Sequence, residues 1–303
     1  MRIVYFGTGA FSIPALRAMA KHVCLVVTQP DRPSGRGMKV QPSPAKLAAL
    51  ELGLPVETPE RARAQEFVLN IEAMQPDALL VASYGQILSA RLLNAAKRGG
   101  INLHGSVLPR WRGAAPIQRA LLNGDAETGV TVMQMDKGMD TGGIIAIERT
   151  PIGPDETYGE LQDRLADVAA QMALDWMPRI VAGDYEPTPQ DDSQATVAPK
   201  IDRSECEITI GMPVEGAYAK FRAFHPTPST YVVTKFGKLK ILGARMGTNP
   251  GIPGVVISIG TGLEVAFGGG SLLLNEVQLE GKKRMSGRDF ANGMRIKPGD
   301  RID

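Results

Sequence analysis

The first half of the chain alternates short apolar runs with amphipathic stretches, a pattern typical of strands followed by helices. Strands are predicted at 2–6, 23–28, 77–82, 101–104 and 130–135, and helices at 13–20, 44–52, about 59–74 and 89–96. A longer helical pattern over 155–182 is predicted to break near Pro178. Repeated strand–helix units of this spacing predict an α/β fold with a doubly wound, mostly parallel sheet, a variant of the Rossmann arrangement.

The pattern changes after residue 182. Residues 183–201 are polar and proline-rich, and a short helix is predicted at about 213–224. Strand-like segments separated by glycine turns follow at 230–234, 239–244, 254–259, 263–266 and 271–279. Such short strands predict a small β-barrel of the OB type. We therefore expect a domain at 1–182, a linker at 183–205 and a barrel domain at 206–303.

Composition describes an ordinary globular protein, with 43% hydrophobic and 22% charged residues among 303. No apolar run approaches the roughly 20 residues that a membrane helix needs. The N-terminus enters a strand at once and lacks a signal core, so we expect a cytoplasmic protein without a membrane span. Cys24 and Cys206 lie far apart without metal-ligand spacing, and we expect both to be reduced and structural.

Charge is distributed unevenly along the chain. Residues 206–303 carry 13 Lys and Arg against 8 Asp and Glu, whereas the remainder carries 21 against 24. The cations Lys282, Lys283 and Arg284 are adjacent, and a Pro- and Gly-rich loop at 29–39 holds Arg32, Arg36 and Lys39. Both groups are compatible with contacts to the phosphates of a nucleic acid, and equally with ordinary solvated surfaces.

Polar side chains with catalytic potential follow two of the predicted strands. Asn102 and His104 share one strand face, and Asp140 lies in the glycine-rich turn after the strand at 130–135. An amide and an imidazole can donate hydrogen bonds to an oxyanion, and a carboxylate can orient the imidazole. Neither a serine nucleophile motif nor metal-ligand spacing appears, so the group fits direct acyl transfer between two bound substrates. Purely structural roles for these residues remain the alternative.

The first glycine turn also bears on the class of cofactor. Gly7-Thr8-Gly9 follows the first strand, but Ser12 occupies the position of the third glycine in a dinucleotide-binding fingerprint. Nicotinamide binding is therefore disfavoured.

Five segments together carry a resemblance to a known family. They are TQPDRPSGRG at 28–37, NLHGSVLPRWRGAAPIQ at 102–118, GDAETGVT at 124–131, MDKGMDTG at 135–142, and Gly281-Lys282-Lys283. Across almost its full length the sequence resembles the methionyl-tRNA formyltransferase family. It departs from the family pattern at Gly9 (often proline), Val107 (leucine), Val197 (often tyrosine) and Thr227 (usually tryptophan).

The resemblance implies a reaction and the residues that perform it. The formyl group of 10-formyltetrahydrofolate would pass to the α-amine of methionyl initiator tRNA, with Asn102 and His104 holding the oxyanion and Asp140 positioning His104. The folate pocket would be lined by Ser106, Val107, Leu108 and Pro109, together with Tyr84, Gly85, Gln86, Ile87 and Leu88. The tRNA would contact Arg32, Arg36, Lys39, Lys282, Lys283 and Arg284. The resemblance further implies a monomer without a metal ion.

Two other functions stay open at the level of the sequence. The catalytic residues are shared by all folate-dependent formyltransferases, so the chain could act on a small amine or hydrolyse formyltetrahydrofolate. The basic C-terminal region would also suit an RNA-binding protein whose enzyme domain has lost activity.

Overall fold

The structure is a computed structural model that describes residues 1–34 and 39–303. Its strands are β1 Ile3–Gly7, β2 Val23–Val27, β3 Arg32–Ser34, β4 Lys39–Gln41, β5 Val56–Glu57, β6 Ala78–Ala82, β7 Gly100–His104, β8 Arg112–Gly113, β9 Glu127–Gln134, β10 Ile144–Pro151, β11 Val197–Ala198, β12 Thr230–Thr234, β13 Gly237–Gly247, β14 Val256–Ile259, β15 Leu263–Phe267, β16 Gly270–Leu279 and β17 Met285–Ser286. Its helices are α1 Ile13–Met19, α2 Pro44–Glu51, α3 Gln65–Met74, α4 Ala90–Leu93, α5 Pro116–Asn123, α6 Tyr158–Ala182, α7 Val214–Phe224 and α8 Gly287–Gly293.

By their contacts the described residues form two units. The first comprises Met1–Pro116, Glu127–Pro151 and Gln162–Pro199, and the second comprises Ile117–Ala126, Ile152–Leu161 and Lys200–Asp303. Two short stretches from within residues 1–182 are therefore grouped with the C-terminal residues. Residues 183–199 are grouped with the first unit.

The first unit is built on a seven-stranded sheet in the order β10-β9-β7-β6-β1-β2-β5. Its strands run parallel except β9, which is antiparallel to both of its neighbours, β7 and the edge strand β10. Strands β1, β6 and β7 are buried along their whole length, as expected for central strands covered on both faces. The predicted doubly wound, mostly parallel sheet is confirmed.

One face of this sheet carries an apolar core that includes Val4, Phe6 and Val81, with Phe67 and Ile71 of α3 packed into the same cluster. Each side chain of this size contributes roughly 1.5–3 kcal/mol when it is fully buried. The packing fixes the central strands rigidly. Their carboxyl ends, where β7 delivers Asn102 and His104, therefore have a stable base.

The second unit contains the antiparallel sheet β12-β13-β16-β15-β14, with β17 paired to β16. Apolar side chains from α7, α8 and the strands form one core, which includes Phe221, Phe290, Val265 and Leu272. The predicted C-terminal domain of short strands, expected as a small OB-type β-barrel, is confirmed as a domain of antiparallel strands. Bulges interrupt the β13–β16 ladder near Gly243, which bends the long strand.

Helices α3 and α6 differ from the sequence-based prediction. The helix expected from about residue 59 begins only at Gln65, because the side chain of Gln86 accepts a hydrogen bond from Ala62 N (2.8 Å) and donates to Pro59 O (3.3 Å). Because of those contacts, the backbone there forms a turn and not the first turn of a helix. Helix α6 runs through Pro178, since the buried Met177 and Ile180 keep both sides of the proline packed.

Candidate active site

Asn102 and His104 lie at the carboxyl end of β7, between β6 and β9. β6 pairs in parallel with β7, and β9 pairs antiparallel so that Asn102 is opposite Met133 and His104 opposite Thr131. Alternation along a strand puts both polar side chains on one sheet face. Asn102 is 8% exposed and His104 is 5% exposed, so each side chain needs hydrogen-bonding partners inside the protein.

Asp140 supplies the partner that the two β7 side chains share. Its Oδ1 accepts from Asn102 Nδ2 at 3.3 Å, and its Oδ2 lies 3.6 Å from His104 Nδ1. The same Oδ2 accepts a 2.8 Å hydrogen bond from the backbone amide of Gly113. The structure thus brings together the three candidate catalytic residues, with the carboxylate between the amide and the imidazole.

The orientation of the His104 ring is set by a backbone carbonyl. His104 Nε2 lies 2.9 Å from the carbonyl oxygen of Trp111. A carbonyl can only accept, so this hydrogen bond requires a proton on Nε2. The ring nitrogen left to face Asp140 and a substrate is therefore Nδ1. At 3.6 Å, Nδ1 and Oδ2 are too far apart for a direct hydrogen bond.

The segment that supplies Trp111 O and Gly113 N has an unusual backbone. Trp111 has a φ of 62° and Gly113 a φ of 128°. The segment is held by Thr196, whose Oγ1 accepts from Trp111 N at 2.9 Å, and by pairing of β8 with β11. Sequence reasoning missed these backbone groups. Apart from Gly113, nothing in the residue types signals that a carbonyl and an amide turn toward the site.

The loop 84–88 presents mostly buried or locally bonded side chains. Tyr84 packs edge-on against Phe6 at 5.2 Å, and burial raises the pKa of its hydroxyl to about 12. Gln86 is occupied with the turn before α3, Leu88 is buried, and Gly85 has a φ of 85°. Ile87, by contrast, is 79% exposed.

Residues 106–109 form a tightly bonded turn after β7. Ser106 is fully buried, and its hydroxyl donates to Arg110 O at 2.7 Å. Thr131 Oγ1 donates to Ser106 O at 2.7 Å and accepts from Leu108 N at 3.1 Å. Leu108 is buried, while Val107 and Pro109 are half-buried. The Ser106 hydroxyl therefore serves the turn.

The candidate tRNA-contacting cations differ in how far they are engaged. Arg284 forms two hydrogen bonds with Glu276, at 2.8 and 2.6 Å, whereas Lys282 and Lys283 are exposed. Arg32 is exposed and pairs with Glu60 at 3.2 Å. Lys39 belongs to β4, and Arg36 lies outside the described residues.

Two kinds of feature are absent from the described ranges, 1–34 and 39–303. No helix there is long and apolar enough to cross a membrane, and no group of three or more His, Cys, Asp and Glu side chains is placed to hold a metal ion.

Comparison with known proteins gives matches along nearly the whole chain. Residues 1–177 match the family described as "Formyl transferase", and residues 200–295 match "Formyl transferase, C-terminal domain". The methionyl-tRNA formyltransferase of Symbiobacterium thermophilum is 45% identical over 310 residues, covering 100% of this chain and 95% of the relative. That of Hydrogenovibrio crunogenus is 42% identical, covering 98% of this chain and 97% of the relative.

Solved structures share the fold at low identity. An N-formyltransferase from Helicobacter canadensis, in complex with folinic acid and dTDP-3-aminofucose, has a TM-score of 0.66 and 17% identity, covering 90% of this chain and 98% of its own. HypX from Aquifex aeolicus in complex with tetrahydrofolic acid has a TM-score of 0.66 and 14% identity, covering 100% of this chain and 50% of its own. The family matches and the full-length relatives confirm the resemblance: the chain belongs to the methionyl-tRNA formyltransferases, enzymes of the formyl transferase family.

Proposed function

We propose that this protein transfers the formyl group of 10-formyltetrahydrofolate to the α-amino group of methionyl initiator tRNA, as a cytoplasmic monomer that acts in translation initiation. The observation that carries the proposal is the cluster of Asn102, His104 and Asp140 at the carboxyl end of β7. The activity in the names of the full-length relatives supports the acceptor, and the folates bound in two structures of the same fold support the donor.

Asn102 and His104 would stabilise the oxyanion. The amine nitrogen attacks the formyl carbon, and the carbonyl oxygen becomes negatively charged in the tetrahedral intermediate. The amide nitrogen of Asn102 carries two hydrogens, of which Asp140 takes one at 3.3 Å. The second hydrogen is available to the oxyanion, and a protonated His104 Nδ1 would be the other donor.

Asp140 would handle the proton that must move during the transfer. The attacking amine loses a proton as the new C–N bond forms, and the folate nitrogen gains one as its C–N bond breaks. The carboxylate of Asp140 is fixed by Gly113 N at 2.8 Å and lies 3.6 Å from His104 Nδ1. Together, the two groups can accept the amine proton and return a proton to the leaving nitrogen.

The donor would bind along the turns at 84–88 and 106–109. Ile87 would contribute an apolar surface for a flat ring, since it is exposed next to a buried Leu88. The remaining members of these turns would act through backbone groups and shape, because the Tyr84, Gln86 and Ser106 side chains are committed inside the protein.

The acceptor's phosphates would contact cations on both units. Lys282 and Lys283 are the stronger candidates in the C-terminal region, since Glu276 neutralises Arg284. Replacing Lys282 and Lys283 together with alanine should raise the KM for tRNA several-fold at low salt, make that KM less dependent on salt, and leave the KM for folate unchanged. Arg284→Ala serves as the matched comparison with a smaller expected effect. Equal effects on both substrates would contradict the assignment.

Transfer of labelled formyl from 10-formyltetrahydrofolate to methionyl-tRNA tests the activity directly. Asn102→Ala, His104→Gln and Asp140→Asn should each lower kcat/KM by about 10² or more. His22→Gln is the matched histidine control, since His22 follows α1 and takes no part in the cluster. A rate near that of the unmodified protein in any of the first three would remove that residue from the mechanism.

The same assay separates the alternatives. Formylation of an amino sugar nucleotide without formylation of methionyl-tRNA would identify an enzyme for small amines. Release of free formate would identify a hydrolase. Binding of tRNA without turnover of the folate would leave an RNA-binding protein.

A further inference from the structure

A side chain from the segment after α6 holds the loop that carries Asp140. Gln190 Nε2 donates to the carbonyl oxygen of Asp140 at 2.9 Å and to that of Gly142 at 2.7 Å. Both hydrogens of this amide are therefore bound to the loop that carries the Asp140 carboxylate. The sequence predicted residues 183–205 to be a linker, and nothing in their polar, proline-rich composition pointed to the site.

Gln190 is itself fixed by Arg112. Its Oε1 accepts from Arg112 Nε at 3.0 Å and from Arg112 Nη2 at 2.8 Å. Because a guanidinium can only donate, the amide must turn its oxygen toward Arg112 and its nitrogen toward the Asp140 loop. Arg112 is 12% exposed along its side chain and also pairs with Asp192 at 2.8 Å. This chain of contacts leaves the Gln190 amide one orientation.

The Asp140 loop needs such support because its backbone is strained. Asp140 has a φ of 54°, a left-handed conformation that residues with a side chain rarely adopt. At Gly142 the loop runs so close to β9 that a Cβ would meet the carbonyl oxygen of Gln134. The amide of Gln190 donates one hydrogen bond to the carbonyl of Asp140 and one to that of Gly142, and these bonds hold the loop in place.

Arg112 and Gly113 both support Asp140, the first indirectly and the second directly. Arg112 orients Gln190, which binds the Asp140 backbone, and Gly113 N binds Asp140 Oδ2 at 2.8 Å. The backbone and the carboxylate of one residue are thus tied to two consecutive residues of β8. A shift of this loop would move the carboxylate relative to both Asn102 and His104.

We propose that Gln190, oriented by Arg112, is a positioning residue of the formyl transfer reaction. It acts by holding the carboxylate of Asp140 in place beside Asn102 and His104. The inference rests on the proposed function, in which Asp140 participates. It extends the active site to a side chain from the 183–199 segment.

Gln190→Glu tests the proposal with little change in size. The variant keeps an acceptor for Arg112 but replaces the amide hydrogens with a carboxylate oxygen that repels the two loop carbonyls. We expect kcat to fall by about tenfold or more, with the KM for tRNA changing less than twofold, because displacements of about 1 Å can cost up to 10²-fold in rate. Gln194→Glu is the matched control in the same segment, since Gln194 bonds only locally, to Asp191. It should leave both constants unchanged.

A second measurement reads the position of Asp140 without any turnover. The chain has three histidines, so the ring-nitrogen NMR signals of His104 can be assigned by their loss in His104→Gln. Gln190→Glu should shift the His104 signals at fixed pH and leave those of His22 and His225 in place, and Arg112→Met should do the same. Gln194→Glu should shift none.

The outcomes separate this inference from the proposed function. If the unmodified protein transfers no formyl group to methionyl-tRNA, the proposed function fails, while the His104 signals still decide whether Gln190 positions the cluster. Unchanged His104 signals in Gln190→Glu would overturn the positioning role, whether or not activity falls. A kcat within twofold of the unmodified protein would overturn it as well.

Discussion

Substituting alanine for Gly113 should damage stability and catalysis together, for reasons that can be separated. Gly113 has a φ of 128°, a region that residues with a side chain rarely adopt. A Cβ built there would lie 2.6 Å from the carbonyl oxygen of Ala198, well inside any real contact. The chain must then either change the conformation at Gly113 or push β11 away.

The expected cost follows from these two effects. For alanine, the backbone conformation at position 113 costs about 1–3 kcal/mol of folding free energy. Displacing the Ala198 carbonyl weakens two hydrogen bonds that it accepts, from Ala114 N at 2.8 Å and Ala115 N at 3.2 Å, each contributing about 1 kcal/mol. We therefore expect Gly113→Ala to lower the free energy of unfolding by about 3–5 kcal/mol.

Gly53→Ala is the matched control. Gly53 also has a positive φ, 67°, but nothing lies within 4 Å of its added Cβ. Its cost should therefore be the conformational one alone, about 1–2 kcal/mol. Urea unfolding of both variants measures the difference. At low temperature, where Gly113→Ala stays folded, kcat should still fall by about tenfold or more, because Gly113 N no longer fixes Asp140.

Two results would refute this reasoning. If Gly113→Ala were no less stable than Gly53→Ala, the close approach to Ala198 would not constrain the fold. If a folded Gly113→Ala kept a normal kcat, the hydrogen bond from Gly113 N to Asp140 would not matter for the reaction.

Three further predictions concern single side chains. Arg119→Met should lower the free energy of unfolding by about 1–3 kcal/mol at pH 7, because Glu205 loses two hydrogen bonds. Those bonds hold the pKa of Glu205 below its ordinary value, so their stabilisation is lost as the pH falls through that lowered pKa, and urea curves of the two proteins should converge in acid. Glu264→Gln should cost about 2 kcal/mol in the same assay, since its buried carboxylate accepts from three side chains through two oxygens, and the amide keeps only one of those oxygens as an acceptor. Tyr84→Phe should leave Tm unchanged or raise it, because the buried hydroxyl has no hydrogen bond within the described residues.

The period of the apolar residues was enough to predict most of the fold. The strand predicted at 77–82 is recognised by the continuous apolar run at 78–82, and the segments after residue 230 are recognised by their glycine turns. The start of α3 was predicted several residues too early, because Thr58-Pro59-Glu60 is a good helix opening in isolation. In the structure the side chain of Gln86, which is distant in sequence, forms hydrogen bonds with Ala62 N and Pro59 O, and the backbone there is a turn.

The three side chains proposed for catalysis could be singled out from the sequence for a related reason. Asn102 and His104 are two residues apart on a strand, so their shared face follows from strand geometry alone. Asp140 stood out as a carboxylate in a glycine-rich turn after the next strand of the sheet. Their contact in the structure, at 3.3 and 3.6 Å, depends on β9 pairing antiparallel with β7, which the strand pattern did not reveal.

The supports of that cluster escape sequence reasoning because they are backbone groups and single polar side chains. Trp111 O, Gly113 N and the carbonyl of Asp140 carry no signature in the residue type, and Gln190 lies in a segment without periodicity. Three residues in this small region, Trp111, Gly113 and Asp140, have positive φ. Each of them takes part in a hydrogen bond within this region. The geometry of the cluster therefore depends as much on β8 and residue 190 as on the strand that carries Asn102 and His104.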